Sequence, residues 1–500
     1  MEIRTELSEW LADFHRRHHR PLRILHCGNI ANNAFLNAKF MRSVGIDADV
    51  MSRDYYHIMA TAEWEEALVT GGWGDDNRPD FNVSNIGDYT RPRWFMQGTT
   101  WQTDEYLRAR NNLENAWLAL GSKVSPTEAS AKVSLAKRIA RRAFRMILSD
   151  PVRRGHLDDL IFGPGKGSKN PESTYLREMV EKFDTVFPDR PDRLTQKELV
   201  PYLSLIEPLN SIFSNYDIVQ AYGIEPILPM LASKTPYVAF EHGTLRDFIR
   251  NDDVTNRLTA LAYRLADHVL VSNGDCFEHA EWLGCQNISP IIHPLDVEQH
   301  RSVDKARVDR LRELYDADVI LFCPIRHDWS VKGTDVHLRA LPLIRRAVGA
   351  RVALVISPWG AQIDESRRLI EDLGCSDMVR WLERPLSRLE MIAHLHAADV
   401  VLDQIALPHF GATAPQALAA GRPVVMSYKP ESTAWIVSQP APILPAFTPE
   451  EVCKAVATAL DPEWLKTFGS RAAQWIDEQH SVLRLLNDQL CIYRKLLDGK

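Results

Sequence analysis

Chemistry in this 500-residue chain concentrates in three short stretches. The first reads Pro324-Ile325-Arg326-His327-Asp328-Trp329-Ser330-Val331-Lys332-Gly333-Thr334. It holds two cations in a loop, with a glycine at the expected start of a helix. Fixed cations beside helix N–H groups suit a diphosphate. The plainer reading is two surface cations in a polar loop. The second stretch runs from Asp403 through Pro408-His409-Phe410-Gly411-Ala412-Thr413-Ala414-Pro415-Gln416 to Gly421-Arg422-Pro423. Small residues at 411–414 let a ligand approach the backbone at a helix start. Gln416, one turn in, presents an amide suited to ribose hydroxyls. Tight packing of helix on sheet would use the same small residues. The third is Glu241-His242-Gly243-Thr244. A histidine at a strand's carboxyl end, followed by glycine, can point into a cleft, although a lone histidine is more often structural.

These stretches need elements to position them, and the chain provides a β-α rhythm. Short apolar runs alternate with amphipathic segments, which predicts parallel sheets. The first unit begins at Leu22-Arg23-Ile24-Leu25-His26-Cys27, followed by the loop Gly28-Asn29-Ile30-Ala31-Asn32-Asn33 and a helix over 34–44. That loop, Gly28 included, matches no glycine-rich nucleotide motif, but it sets backbone N–H groups at a helix start. Further strands are expected at 217–220, 236–240, 268–271 and 288–292. A second set follows at 319–322, 352–356, 378–382, 400–402 and 423–426. The capping box Ser387-x-x-Glu390 and the Thr448-Pro449-x-Glu451 start mark two helices. Residues 52–200 lack the rhythm and are expected to form a largely helical insertion. The lobe boundary falls near 295–303, giving lobes over 1–297 and 298–470. A long last helix, ending in a segment over 471–500, is expected to pack back on the first lobe. Ligands of such sheets bind beyond the carboxyl ends of the strands, where the three stretches lie.

Composition narrows the function. The net charge of −7 argues against a general nucleic-acid binder. Seven scattered cysteines without a C-x-x-C pair read as reduced thiols of a cytoplasmic protein. No signal peptide or membrane-spanning run is legible. Residues 132–154 stand apart, with eight Lys or Arg against one Asp, a net +7. Their apolar residues fall near one helical face, the pattern of a helix lying on an anionic membrane. A helix packed on its own domain fits equally. The loop Gly163-Pro164-Gly165-Lys166-Gly167 reads as a linker. The tryptophans at 64, 73, 94 and 101 read first as core and second as a platform for sugar rings.

Together the blocks resemble the GT-B retaining glycosyltransferases of glycosyltransferase family 4, also called glycosyl transferases group 1. The resemblance is clearest over about 217–460. It rests on Glu241-His242-Gly243, Ile292-His293-Pro294-Leu295-Asp296, the Arg326…Lys332-Gly333 pair, and Gly411 through Ala417-Leu418-Ala419-Ala420-Gly421-Arg422-Pro423-Val424-Val425. It implies an α/β fold of two Rossmann-like lobes facing a cleft, with a nucleotide-sugar donor in the C-terminal lobe. Arg326 and Lys332 would hold the donor diphosphate and stabilise it as it leaves. Backbone groups of Phe410, Gly411, Ala412 and Thr413 would assist. Main chain near Leu382–Leu386, with Leu386 named, would hold the base. His242 would lie beside the transferred sugar and the acceptor. Gly28, His409 and Gln416 complete the expected donor contacts. The resemblance implies no metal and no separate cofactor. The acceptor would be a glycan or a lipid-linked sugar in polysaccharide synthesis, handled in the cytoplasm or at the membrane surface.

One departure stands out. The family commonly carries two glutamates eight positions apart, where this chain has Pro408 and Gln416. Pro408 offers no side-chain contact to a sugar hydroxyl, and Gln416 lacks charge. His409 is the neighbouring substitute. Two competing readings follow: a nucleotide-sugar epimerase of the same fold, and a sugar-nucleotide-binding partner subunit with weak turnover.

Overall fold

The computed structural model describes residues 2–53, 57–81, 85–121, 171–246, 253–409 and 411–499. The chain forms two compact units, Met1–Thr99 with Leu209–Lys500, and Thr100–Pro208. The first unit carries two parallel sheets, each built from the short apolar runs.

The N-terminal sheet contains β1 (Arg23–Cys27), β2 (Asp47–Ser52), β5 (Phe95–Gln97), β6 (Ile218–Tyr222), β7 (Tyr237–Glu241), β8 (His268–Val271) and β9 (Ile288–Pro290). A two-stranded hairpin, β3 (Gly74–Asp75) and β4 (Arg78–Pro79), stands apart. The order is β5-β2-β1-β6-β7-β8-β9, with every pair parallel. Strands β6 and β7 are buried along their whole length, as parallel strands covered on both faces must be. The C-terminal sheet contains β10 (Val319–Cys323), β11 (Val352–Ile356), β12 (Val379–Trp381), β13 (Val400–Leu402), β14 (Val424–Met426) and β15 (Leu444–Pro445), in the order β12-β11-β10-β13-β14-β15. Alternate residues of β10 serve two apolar clusters, Ile320 and Phe322 on one face and Leu321 and Cys323 on the other.

The expected insertion over 52–200 is narrower than the sequence suggests. Residues up to Thr99 belong to the first unit. Phe95–Gln97 pairs with β2 at the sheet edge, and Ile58, Trp64, Val69 and Trp73 form a small core of their own. A three-residue edge strand and an aperiodic mini-core leave no legible β-α rhythm. Trp64 and Trp73 are therefore core residues, while Trp101 is half exposed. The second unit contains the helices Thr100–Gly121, Pro171–Val186 and Gln196–Leu199. The basic segment 132–154 and the loop 163–167 lie outside the described residues.

The expected single last helix is two helices, Pro462–Gln479 and Val482–Asp498. Ser481 caps the second by accepting from Arg484 N at 3.3 Å. The first packs Phe468, Ala472, Trp475 and Ile476 into the C-terminal core. The second packs Leu485, Leu486, Leu490 and Tyr493 into the N-terminal core. A buried polar network holds it there. Gln489 donates to Asn37 Oδ1 at 2.9 Å and accepts from Gln220 Nε2 at 2.9 Å. Tyr493 donates to Gln220 Oε1 at 2.7 Å. The Tyr222 hydroxyl joins Gln220, Asn37 and His26 within 3.0 Å. Leaving one such buried group unmet costs about 1–3 kcal/mol.

Buried histidines make the fold sensitive to acid. Burial pushes His26, His300 and His480 each down to about 3. Their folded values lie below the unfolded value of about 6.5, so the unfolded chain binds protons more readily. Their stabilising contribution is complete above pH ~6.5 and is lost as pH falls toward 3. By pH 5 each histidine costs about 2 kcal/mol, from ~1.36 kcal/mol per pH unit. The thermal midpoint is expected to fall steeply between pH 7 and pH 5, as measured by circular dichroism. A flat profile over that interval would contradict the neutral buried state of these rings.

Candidate active site

The loop after β10 carries the two cations and is tightly determined. Asp328 closes its first turn by accepting from Val331 N and Ser330 Oγ, both at 3.0 Å. Lys332 N and Gly333 N donate to Asp328 O at 2.8 and 3.1 Å. Gly333 adopts φ 65° and sits against Ile405 and Ala406, where a side chain would crowd both. Helix Thr334–Val348 starts immediately after it. A second lattice fixes the loop from beneath. His327 N donates to Trp359 O, and Gln362 N donates to His327 O. The buried His327 ring lies 2.9 Å from Ser366 Oγ and 3.1 Å from Ser357 O. Gly360, at φ 118°, lies flat on the His327 backbone, and a Cβ there would collide with it.

The two cations differ in character. Arg326 reaches Asp328 Oδ2 at 3.1 Å and keeps 42% of its side chain exposed. Lys332 is more enclosed, and burial lowers its affinity for the proton, with Asp403 opposing and Arg326 and Arg246 adding to the effect. Its ammonium donates to Gln404 Oε1 at 2.5 Å. The same Gln404 amide donates to His409 O at 2.6 Å. Gln404 thus ties the cation loop to the small-residue block, a role the sequence reading did not assign. Beneath it, Asp403 is 2% exposed, and burial raises its carboxyl above the ordinary range despite Lys332.

The small-residue block sits as its spacing requires. Ala412 precedes helix Thr413–Ala419, and Gly411 has open space where a Cβ would go. Gln416 is buried. Phe410 lies outside the described residues. Pro408 turns its carbonyl to Ser432 Oγ and Lys429 N, so its backbone faces the C-terminal segment. Leu386 packs its side chain into the C-terminal core. Gly28, at φ 82°, makes room for Glu225, whose carboxylate pairs with Arg53.

Across from this block, the N-terminal lobe presents a histidine and an ion pair. His242 stacks on Phe240 and Tyr222, with centroids 5.0 and 5.9 Å away, and lies 5.6 Å from His293. Its Nε2 is buried with no partner among the described residues. Burial, and then His293, depress its proton affinity strongly, so the ring is neutral. Arg246 forks onto Asp275, with Nη2 to Oδ1 at 2.7 Å. His409 Nε2 stands 3.4 Å from the same Asp275 oxygen. Neither Arg246 nor Asp275 was legible as a site residue. They lie 29 positions apart, in segments without a motif.

The cleft is bridged at its other rim. Arg388 pairs with Glu65 at 3.1 Å, with side-chain exposures of 7% and 1%, and lies over Trp64. Arg384 stacks on Trp73 and donates to Gly71 O at 3.0 Å. Asn32 donates to Thr61 O at 2.8 Å and Asn29 to Ala60 O at 2.8 Å, joining the loop after β1 to the same segment. That loop holds Ala31 and Asn32 in the left-handed region, at φ 47° and 57°. Such residues cost about 1–2 kcal/mol each, and these asparagine bonds offset the cost. Among the described residues no cluster of histidine, cysteine or acidic side chains could hold a metal ion.

Comparison with known proteins follows this geometry. The chain has the two-lobed GT-B fold. Residues 317–461 match the family Glycosyl transferases group 1, so the C-terminal lobe carries the resemblance read from the sequence. No curated protein sequence matches the chain. Among solved structures, sucrose-phosphate synthase from Thermosynechococcus elongatus is similar at 12% identity, over 96% of this chain and 100% of that one, with a TM-score of 0.53. The UDP-forming trehalose-phosphate synthase of Burkholderia xenovorans is similar at 14% identity, over 95% of this chain and 99% of that one, with a TM-score of 0.50. An E. coli trehalose-6-phosphate protein bound with UDP-2-fluoro glucose is similar at 12% identity, over 95% and 99%, with a TM-score of 0.50.

Gly360 offers a test of how the cation loop is held. Gly360→Ala is expected to push His327 and weaken UDP binding about 10-fold or more, measured by calorimetry. Gly374, at φ 61° with open space around it, is the control. Gly374→Ala should cost only about 1 kcal/mol of stability and leave UDP binding intact. Equal UDP affinity in the two variants would show that the lattice under the loop is dispensable.

Proposed function

We propose that the protein is a glycosyltransferase that moves a hexose from a nucleotide sugar, UDP- or GDP-linked, to a glycan or lipid-linked acceptor. The observation that carries this reading is the pairing of Arg326 and Lys332 on one rigid loop, at the carboxyl end of β10, with Gln404 joining that loop to the 411–416 block. In this reading the diphosphate lies between the two cations and the start of helix Thr413–Ala419. Gln416 faces the ribose, and main chain at 382–386 faces the base. His409 replaces the absent acid at the donor sugar.

Transfer then proceeds with retention. The bond from the anomeric carbon to the phosphate oxygen breaks, and positive charge develops on the sugar as in glycoside hydrolysis. The acceptor oxygen bonds to the same face, and its proton passes to the departing phosphate oxygen. Arg326 and Lys332 stabilise the charge on that oxygen, the largest kind of term available to such a site, so no metal is required. His242, neutral and with an unpartnered Nε2, accepts a hydrogen bond from the sugar or the acceptor. The basic segment 132–154 would bring the protein to an anionic membrane carrying the acceptor. Among the described residues no helix is long and apolar enough to cross a membrane.

The test is a panel of nucleotide sugars, beginning with UDP-glucose. One donor should raise the thermal midpoint, corresponding to about 2.7 kcal/mol at a hundredfold excess over Kd. It should also release nucleotide faster when acceptor is present. Lys332→Ala removes a charged hydrogen bond worth about 1.5–3 kcal/mol and should weaken donor binding roughly 10- to 150-fold. Unchanged binding would remove Lys332 from the phosphate site. Stabilisation without turnover for any donor and acceptor would favour a sugar-nucleotide-binding subunit, as Pro408 and Gln416 suggest. Charge reversal at Arg141, Arg142 and Arg145 should abolish binding to phosphatidylserine vesicles. Absence of vesicle binding by the wild type would end the membrane assignment.

A further inference from the structure

We propose that Asp275 is a positioning residue for the transfer, holding His409 Nε2–H so that Nδ1 is left as a lone-pair acceptor for a donor-sugar hydroxyl. The inference rests on the glycosyltransferase reading and names what replaces the missing glutamate at the sugar end of the site.

The geometry supplies the argument. His409 comes from the C-terminal lobe and Asp275 from the N-terminal lobe, as the first residue of helix Asp275–Trp282. His409 Nε2 faces Asp275 Oδ1 at 3.4 Å. Arg246 holds the carboxylate from behind through both oxygens, so Asp275 cannot turn away. The lobes approach closely at this point. A Cβ on Gly274 would come within 2.5 Å of Trp435 Nε1 and 3.0 Å of Ser432 O. Only glycine lets this backbone seat Asp275 opposite His409. His409 also lines a small interlobe cavity with Ser272, His293 and Trp435.

The chemistry follows from tautomers. A neutral imidazole donates through one nitrogen and accepts through the other, and the partner of one fixes the role of the other. With Nε2–H turned to Asp275, Nδ1 accepts, as a carboxylate oxygen would, while the ring fills the place of a side chain that Pro408 cannot provide. No hydrogen bond to Nδ1 occurs among the described residues. The groups facing His409 are Asp275 and Arg246 from the N-terminal lobe and Lys332 from the loop after β10, with His293 nearby. Burial favours the neutral ring, Asp275 opposes this, and the two cations reinforce it. Burial pushes the Asp275 carboxyl upward, but the Arg246 bonds and charge outweigh it and hold the group below its ordinary value. The pair is therefore a neutral imidazole on a carboxylate.

Two measurements test this. In nitrogen-15 NMR of histidine-labelled protein, the signals missing in His409→Ala identify that ring. The wild type should show the Nε2-protonated form, and Asp275→Ala should shift it toward the Nδ1-protonated form. In calorimetry, Asp275→Ala and His409→Ala should each lose about 10-fold in affinity for UDP-glucose while UDP affinity stays within twofold. The double variant should be no worse than His409→Ala, and Asp275→Asn, which retains an acceptor oxygen, should recover part of the loss. An unchanged His409 tautomer in Asp275→Ala, or additive losses in the double variant, would overturn the assignment. Failure of the wild type to bind UDP would overturn the transferase reading instead, and the tautomer measurement would still decide the role of Asp275.

Discussion

The hydrogen bond from the Lys332 ammonium to the Gln404 side chain is the interaction on which the rest of the site depends. One amide faces two ways. Its oxygen takes the cation, and its nitrogen takes the His409 carbonyl. The loop after β10 and the loop after β13 are thereby locked to one another, so that a diphosphate cation, a helix start and His409 share one frame. The backbone repeats the link, since Ile405 N donates to Lys332 O at 2.8 Å. An ammonium on four flexible carbons loses much rotamer freedom when fixed. Burial beside Asp403 and the Gln404 bond carry that cost before any ligand arrives, which is the preorganisation that electrostatic stabilisation requires.

Around this frame the two lobes are fastened at two rims. On one side the Glu65–Arg388 pair is almost fully buried, and Arg384 and Arg388 lie on Trp73 and Trp64. Removing one member of such a pair leaves a buried charge, at about 3–5 kcal/mol. On the other side Gly274 meets Trp435, and Asp275 meets His409. The C-terminal helices add a third link, because the chain leaves the C-terminal core at Gln479 and enters the N-terminal core at Val482. The last helix is held there by Gln489 and Tyr493 rather than by apolar contact alone, which fixes its register on the sheet.

Much of this was legible in the sequence, for physical reasons that also explain what was not. Central parallel strands must be apolar on both faces, so β6 to β8 and β10 to β14 announce themselves as short apolar runs. The helix after Ser387 begins where its capping residues stand, with Glu390 accepting from Ser387 N at 2.8 Å. By contrast, β5 has three residues at an edge and no periodicity to detect. The last helix was read as continuous because nothing in Gln479-His480-Ser481 breaks a helical pattern as proline would. In the site, Arg326, Lys332 and the 411–416 block share a strand-to-helix context that marks them. Gln404 looks like any polar residue after a strand. Arg246 and Asp275 become a unit only when two loops of the N-terminal sheet meet, and reach His409 only when the lobes do. Gly360 shows the same limit, since its importance lies in the His327 backbone beneath it.

The account stands most directly on where a diphosphate binds. A crystal structure of the chain with UDP tests it. The account predicts both phosphates between Arg326 and Lys332, against the start of helix Thr413–Ala419, with Lys332 still bound to Gln404. Phosphates found elsewhere, with the Arg326–Lys332 loop unliganded at saturating UDP, would contradict it.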